Sequence, residues 1–489
     1  MKRFYLLLAA ATLLAAIAGC QKEPAGNENA ESAKAYAQLN ISFATSSTKA
    51  LSVDDSGDYD AGSKSEYEVK SATLYFVKDG TVASVETLNG NFSEHKDGDN
   101  VYYTHVVDKL STGTYNVYAT INKTLVGVTV GTSENELQTS IQGSGTDALF
   151  GNVVPASGMP MSSRLTSAAY GSDAGTAGLY QTVEILASNT KDNPCPISLE
   201  IERSMAKVVY NAQNANNVYD IYANRSGSGT KIATVALKQY SVLNQSKQWY
   251  AFRRVIAHDG ATWQDKGFGM IGEGYLYDPN IQQKNSTEAT NADTYVFDGT
   301  VQDITAVTAS ATEVLAYTYE NAVHQSNQLA GYVTSIRFVG KITPETAHLW
   351  YLDGSSLKND QAYVANSDLF YYDNEFYTSL EALNAKTHLG VSPSNFRDFN
   401  VKFYDDGTCY YDYYIKHFDN GAYPNMGKME YAIVRNNSYE VTVTQILSTG
   451  NDETTDVAAS TPVEQKETYF QVKLTIRPWV VRAQDAILG

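Results

Sequence analysis

Ala37-Gln-Leu-Asn-Ile-Ser-Phe43 alternates residue by residue, with Ala37, Leu39, Ile41 and Phe43 on one side and Gln38, Asn40 and Ser42 on the other. Period two is the spacing of a half-buried β-strand, so this stretch needs a groove or a sheet to cover its apolar face. The same alternation returns in the last twenty residues. There Phe470, Val472, Leu474 and Ile476 interleave with Gln471, Lys473, Thr475 and Arg477 before Trp479 and Val481. The early copy is followed closely by Lys49-Ala50, a candidate site for a protease that cuts after a basic residue. A strand that can be cut away near one end, and a matching strand at the other, predict subunits that complete one another.

What precedes the early strand reads as an address. Lys2 and Arg3 lead an apolar run from Phe4 to Ile17, and Ile17-Ala-Gly19 runs into Cys20. The run is too short for a spanning helix and reads as a lipoprotein signal peptide over residues 1–19. Cys20 is then the lipid attachment site, since stable anchoring takes more than one acyl chain. Gln21 to Ser32 is polar and reads as a tether. Of the remaining cysteines, Cys195 and Cys409 have no C-x-x-C spacing; two separate buried thiols are expected, with a disulfide between them as the alternative.

The chain has 54 acidic and 36 basic residues, a formal charge of −18. Without clustered Lys and Arg to neutralise phosphates, nucleic acid is excluded as a partner. Its 36 tyrosines, with abundant Val, Thr and Gly, favour strands and turns over helices. Strand patterns recur at Val69–Val77, Val82–Leu88, Tyr115–Ile121, Ile197–Tyr210, Lys231–Leu243, Tyr332–Val339, Phe403–Ile415, Tyr431–Val434 and Tyr439–Ile446. Asp79-Gly80 is a hairpin dipeptide between the first two. Helical readings are confined to Leu380–Lys386 and Asn321–Leu329. The fold class is all-β, of sandwich architecture. Pro194-Cys195-Pro196 interrupts any continuous ladder and marks a domain boundary. Residues 50–195 form an N-terminal domain and residues 196–466 a C-terminal one. Ser448 to Lys466, polar and acidic, is expected to be a flexible connection to the final segment, residues 467–489.

Chemistry finds little foothold. The seven histidines are dispersed without H-E-x-x-H, so no metal site is expected. Asp54–Asp60 and Lys96–Asn100 lack the spacing of a calcium loop and read as solvated turns. Gly267-Phe-Gly-Met-Ile-Gly272 fits a dinucleotide fingerprint in letters only, because no strand precedes it and no helix follows. Asp405-Asp406 with Tyr410, Tyr411, Tyr413 and Tyr414 could line a sugar site; a turn followed by a half-exposed strand is the plainer reading. No G-x-S-x-G or phosphate-binding loop occurs, so no catalysis and no cofactor are expected.

Taken in order, several landmarks resemble the fimbrillins of type V pili, in particular the shaft subunit of the minor-fimbrium type. They are the lipobox at Cys20, the strand following Ala33-Lys-Ala-Tyr36, and Gly113-Thr-Tyr-Asn-Val-Tyr118. Further on come Ile201-Glu-Arg-Ser-Met-Ala-Lys-Val208, Val434-Arg-Asn-Asn-Ser-Tyr439 and Val472-Lys-Leu-Thr-Ile-Arg-Pro-Trp479-Val-Val-Arg. The resemblance implies two transthyretin-like β-sandwich domains of Greek-key-type connectivity, export as a lipoprotein, and removal of the first strand by proteolysis. It also implies that a neighbouring copy's C-terminal strand fills the emptied groove. Carried onto this chain, residues 20–49 are the propeptide, cut at Lys49 and Ala50. The removed strand presents Leu39, Ile41 and Phe43, and the donor strand presents Leu474, Ile476, Trp479, Val481 and Ile487. Relatives carry arginine at the cut; lysine here calls for a trypsin-like or lysine-tolerant surface protease.

The expected function is therefore a structural shaft subunit of a cell-surface fimbrium supporting adhesion. Its partners would be copies of itself head to tail, tip and anchor subunits, and the outer membrane through lipid before processing. The alternatives are a surface-anchored glycan-binding lipoprotein, a fimbrial anchor or tip component, and a glycoside hydrolase with two carboxylates about 5–10 Å apart.

Overall fold

In the computed structural model the early alternating stretch is β1 (Ala35–Phe43). The structure describes residues 34–43, 60, 62–97, 100–143, 151–164, 179–259, 262–265, 275–276, 278–279, 296–322, 328–417, 419–427, 429–454, 460–465 and 469–478. After β1 come β2 (Ser71–Lys78) and β3 (Thr81–Asn89). Asp79 and Gly80 between them take φ of 51° and 74°, as a two-residue turn with both central residues at positive φ requires. Then follow β4 (Ser93–Asp97), β5 (Asn100–Leu110) and β6 (Gly113–Ile121). A short helix α1 (Glu134–Gln138) starts on a Ser133/Glu136 capping box, and β7 (Met161–Ser163), β8 (Gln181–Ile185) and β9 (Cys195–Arg203) complete this half.

These strands form one sheet, in the order β3-β2-β6-β7-β9-β1-β5-β4 with β8 also on β6. They enclose a single apolar core to which Leu39, Leu74, Val117 and Ile197 all contribute at 0% exposure, with Leu199 at 4%.

The second half contains β10 (Met205–Asn211), β11 (Val218–Tyr222), β12 (Lys231–Leu243), β13 (Thr312–Tyr319) and β14 (Ser335–Pro344). Helix α2 (Leu380–Thr387), β15 (Thr408–Tyr414), β16 (Asn437–Ile446) and β17 (Phe470–Pro478) follow. Two sheets, β13-β10-β16-β17 and β11-β12-β14-β15, share a second core. Tyr210 of the first meets Phe338 of the second at 5.5 Å between ring centroids, and Phe470 meets Tyr411 at 5.5 Å. The all-β reading is borne out.

Several boundaries differ from those expected. The stretch Ile197–Tyr210 is not one strand: β9 belongs to the first sheet and β10 to the second, and the change falls at Ser204 rather than at the prolines. Pro196 is the second residue of β9, at a point that β7, paired only with Ile201–Arg203, does not reach, so β9 is locally an edge strand there and admits proline. Tyr431–Val434 forms turns and a single bridge, Asn321 to Ile433. Where a flexible connection was expected, the first part is pinned down. The Tyr404 hydroxyl donates to Thr449 Oγ1 at 2.6 Å, the Phe403 amide donates to Asp452 at 2.8 Å, and Asn451 bridges Tyr410. Val463 is buried and Lys416 holds Glu464 at 2.7 Å. Among the described residues of this stretch, Thr449, Asn451, Asp452 and Glu464 bond back to the domain.

The halves meet through buried charge. Lys207 on β10 pairs with Asp60 at 2.7 Å and Glu66 at 3.2 Å, and the Tyr317 hydroxyl donates to Glu66 at 2.6 Å. Arg203 donates to the Glu66 carbonyl at 2.9 Å and to Asn436 Oδ1 at 3.2 Å. Arg435, wholly buried, pairs with Glu320 at 2.7 Å, and Arg253 reaches Glu202 at 3.5 Å. Removing one partner of such a pair strands a charge in the interior, typically at about 3–5 kcal/mol.

Cys195 and Cys409 are separate, free and buried, one in each half. Burial pushes the Cys409 thiol up to about 12 and raises that of Cys195. Neither should be alkylated by iodoacetamide in the folded chain at pH 8, while both should label within minutes in guanidinium; mass spectrometry of the intact protein reads the difference.

Candidate assembly site

Strand β1 lies inside its sheet, not at the edge. It runs parallel to β9, with Leu39 opposite Ile197 and Ile41 opposite Leu199, and antiparallel to β5, with Ile41 opposite Tyr103. In the sheet order β5 and β9 are joined only through it. Taking β1 away would leave two rows of backbone donors and acceptors facing each other across a strand-wide gap, a template for another strand.

The burial pattern follows the sequence alternation. Ala35, Ala37, Leu39 and Ile41 are 0% exposed and Phe43 6%, while the ring of Phe43 packs edge-on against Tyr67 and Tyr103. At about 1.5–3 kcal/mol for each large apolar side chain buried, Leu39, Ile41 and Phe43 together contribute roughly 5–9 kcal/mol before ordering costs. That is comparable with the whole stability of a domain, about 5–15 kcal/mol. The half therefore needs a strand in this position to stay folded. Side-chain bonds across the gap are few and long, from Asn40 to Ser198 Oγ at 3.3 Å and from Ser42 to the Leu199 carbonyl at 3.4 Å. Backbone ladder and apolar shape carry the fit, and both can be matched by another strand of the same pattern.

The Asp60 carboxylate accepts from the Gly62 amide at 2.8 Å besides pairing with Lys207. Burial alone would raise its pKa. The Lys207 ammonium and the Gly62 amide more than offset that and hold the carboxyl below its ordinary range.

Strand β17 is an edge strand, antiparallel to β16 with Tyr439 opposite Ile476 and Val441 opposite Leu474. Phe470 is buried, and Val472, Leu474 and Ile476 are half-buried against the second core. Leu474 and Ile476, expected in the donor, thus pair within their own domain in the isolated chain. Trp479, Val481 and Ile487 lie outside the described residues, as do Cys20, Lys49, Ala50 and the glycines from Gly267 to Gly272.

Sequence reasoning missed β5, the antiparallel partner of β1. Val101, Tyr103 and Val107 keep period two and point inward, but the polar His105 takes the inward register position between them, opposite Leu39. The apolar Val106 takes the outward one at 44% exposure, and the register shifts opposite Ala35 and Ala37. It also missed that two of the landmark stretches meet: Asn436 donates its amide to the Met205 carbonyl at 2.8 Å, beside its side-chain bond from Arg203. The tyrosine run is a half-buried strand, with Tyr411 in the core, after a turn at Asp405–Gly407.

Residues 402–485 match the family model described as major fimbrial subunit protein type IV, fimbrillin, C-terminal. This stretch, which holds β15, β16 and β17, bears out the fimbrillin resemblance. The chain is also similar to a putative cell adhesion protein from Parabacteroides distasonis, at 12% identity and a TM-score of 0.43, covering 91% of this chain and 97% of that one. A fimbrilin from Porphyromonas gingivalis gives 13% and 0.40 over 91% and 99%. The C-terminally truncated tip fimbrial protein of the same organism gives 11% and 0.37 over 91% and 100%. No curated protein sequence matches.

Two expectations come from this geometry. Ile41→Ala should cost about 2–5 kcal/mol in denaturant unfolding of the full chain, whereas Gln38→Ala, on the opposite face, should stay within about 0.5 kcal/mol. Because the folded pKa of Asp60 is lowered, its stabilisation is complete above about pH 4, the unfolded value, and is lost as pH falls through the folded one. Asp60→Asn should remove that part of the acid dependence, read as a smaller drop in thermal midpoint between pH 5 and pH 3.

Proposed function

We propose that the chain is a structural shaft subunit of a cell-surface fimbrium, polymerised by protease-triggered donor-strand exchange and exported as a lipoprotein precursor through Cys20. The observation that carries this reading is the position of β1, an apolar strand enclosed between β5 and β9. While it is in place the site is occupied and the subunit cannot accept another. Lys49 follows Phe43 by six residues in the sequence. A cut after it leaves β1 held only by its ladder and its apolar face, so a second strand can compete for the same gap.

The donor on this reading is the C-terminal segment of a neighbouring copy, with Trp479, Val481 and Ile487 as its apolar set. Leu474 and Ile476 join that set if β17 detaches from β16. Donation from one copy to the next is a heterologous contact that does not close, and such contacts build filaments. A tip subunit needs a groove but no donor, and an anchor keeps its first strand; a chain with both a cut and a donor is a shaft subunit. Adhesion is the outcome of the fibre.

The test is to treat purified full chain with trypsin at limiting dose. We expect a mature N-terminus at Ala50 and a ladder of polymers that survives detergent without heat, absent for Lys49→Gln and for a chain ending at Pro478. Ladders formed equally well by both variants would sink the reading.

A further inference from the structure

Strands β14 and β15 are sequence-adjacent members of one sheet, paired antiparallel with Lys341 opposite Thr408. A turn of a few residues would join them. Instead residues 345–407 intervene as a lobe with its own five-stranded sheet, the helix α2, and a separate apolar core around Tyr377, Leu383 and Val401. Nothing in the pairing of β14 with β15 requires this lobe, and insertions of that size on a rigid sandwich are where binding residues concentrate.

The lobe carries a cavity of about 200 Å³ under the segment from residue 359 to residue 368. Both ends of that segment are fastened. Asn359 donates to the Ala347 carbonyl at 2.9 Å, and the Tyr351 hydroxyl donates to Asp360 at 2.7 Å. At the far end the Tyr363 hydroxyl donates to the Ser367 carbonyl at 2.6 Å, and Asp368 accepts from the Asp406 amide at 3.0 Å. The walls are therefore set before any ligand arrives, which lowers the ordering cost of binding.

The lining is mixed in a particular way. Tyr351, Tyr363 and Val364 supply aromatic and aliphatic surface, and Gln361, Ser367 and Asp368 supply an amide, a hydroxyl and a carboxylate. Val364 is 62% exposed at this site although the lobe has a core that could have taken it. The volume is below the roughly 300–1,000 Å³ of drug-sized sites, so one ring fits and a chain does not. Asp405 and Asp406 stand beside Asp368, and three carboxylates at one rim repel an anion.

We propose that this pocket binds a single neutral pyranose, with a C–H face of the sugar on the tyrosine and valine surface and its hydroxyls on Gln361, Ser367 and Asp368. The fimbrium would then carry a sugar site on each shaft subunit. The proposal stands apart from the polymerisation reading, because the lobe contains neither β1 nor β17.

The full chain, uncleaved, is tested by saturation-transfer NMR with the methyl glycosides of galactose, glucose, mannose and N-acetylglucosamine, and with N-acetylneuraminic acid as the anionic probe. We expect transfer to at least one neutral glycoside, none to the acid, and at least a fivefold loss of signal in Gln361→Ala and Val364→Ser. Both positions are exposed, so the thermal midpoint and trypsin-triggered ladders should be unchanged in these variants. Absence of transfer to every neutral glycoside, preference for the acid, or full signal in both variants would overturn the proposal.

Discussion

A strand in the middle of a sheet satisfies two neighbours at once, and β1 is such a strand. Its ladder joins β9 on one side to β5 on the other, and its apolar face supplies part of the first core. The first half of the chain cannot close without some strand there. Very little fixes which strand it is, since the side-chain bonds to β9 are two and long. Strong demand for a strand combined with weak demand for a particular sequence is the physical condition under which one segment can be exchanged for another.

That condition also bears on the order of events. Roughly 5–9 kcal/mol of apolar burial is too much for β1 to leave unaided on any short time scale, because its loss would expose the core around Leu74, Val117 and Ile197. On the proposed exchange, a replacement would have to take over the ladder as β1 gives it up. In that same exchange, cleavage beyond Phe43 would change only the connectivity, freeing β1 to depart while leaving the site filled until a competitor arrives.

Much of this was legible in the residues. The alternation from Ala37 to Phe43 fixed which side chains face inward, and burial follows it one by one; Asp79-Gly80 was likewise readable from turn chemistry, and α2 from the helical stretch Leu380–Lys386. The Ser133-x-x-Glu136 box offered the same signal for α1 and went unused. What could not be read was pairing. Period two says that a strand has a covered face, but it does not say which strand lies alongside, and β5 masks its period by putting the polar His105 in the inward row and the apolar Val106 in the outward one. The junction was hidden for another reason: Glu66, Arg203, Lys207 and Arg435 look like solvated charges until sequence-distant partners enclose them. The same holds for the inserted lobe, whose walls come from short segments without a readable period.

The buried junction constrains what such a subunit can do in a filament. Strand β9 faces β1 with Ile197, Leu199 and Ile201, and its end carries Glu202 and Arg203, which reach Arg253, Glu66 and Asn436. Asn436 is followed at once by β16, whose other side holds β17. The position of β1 and the edge strand β17 are thus linked through two strands and one enclosed charge cluster. Opening that cluster would strand ions in the interior at about 3–5 kcal/mol for each broken pair, so a bend between the halves is costly. On the proposed exchange, a subunit that receives at one half and donates from the other would pass its orientation to the next copy only if the two halves keep a fixed angle, and paired buried charge holds that angle more selectively than an apolar contact, which tolerates sliding.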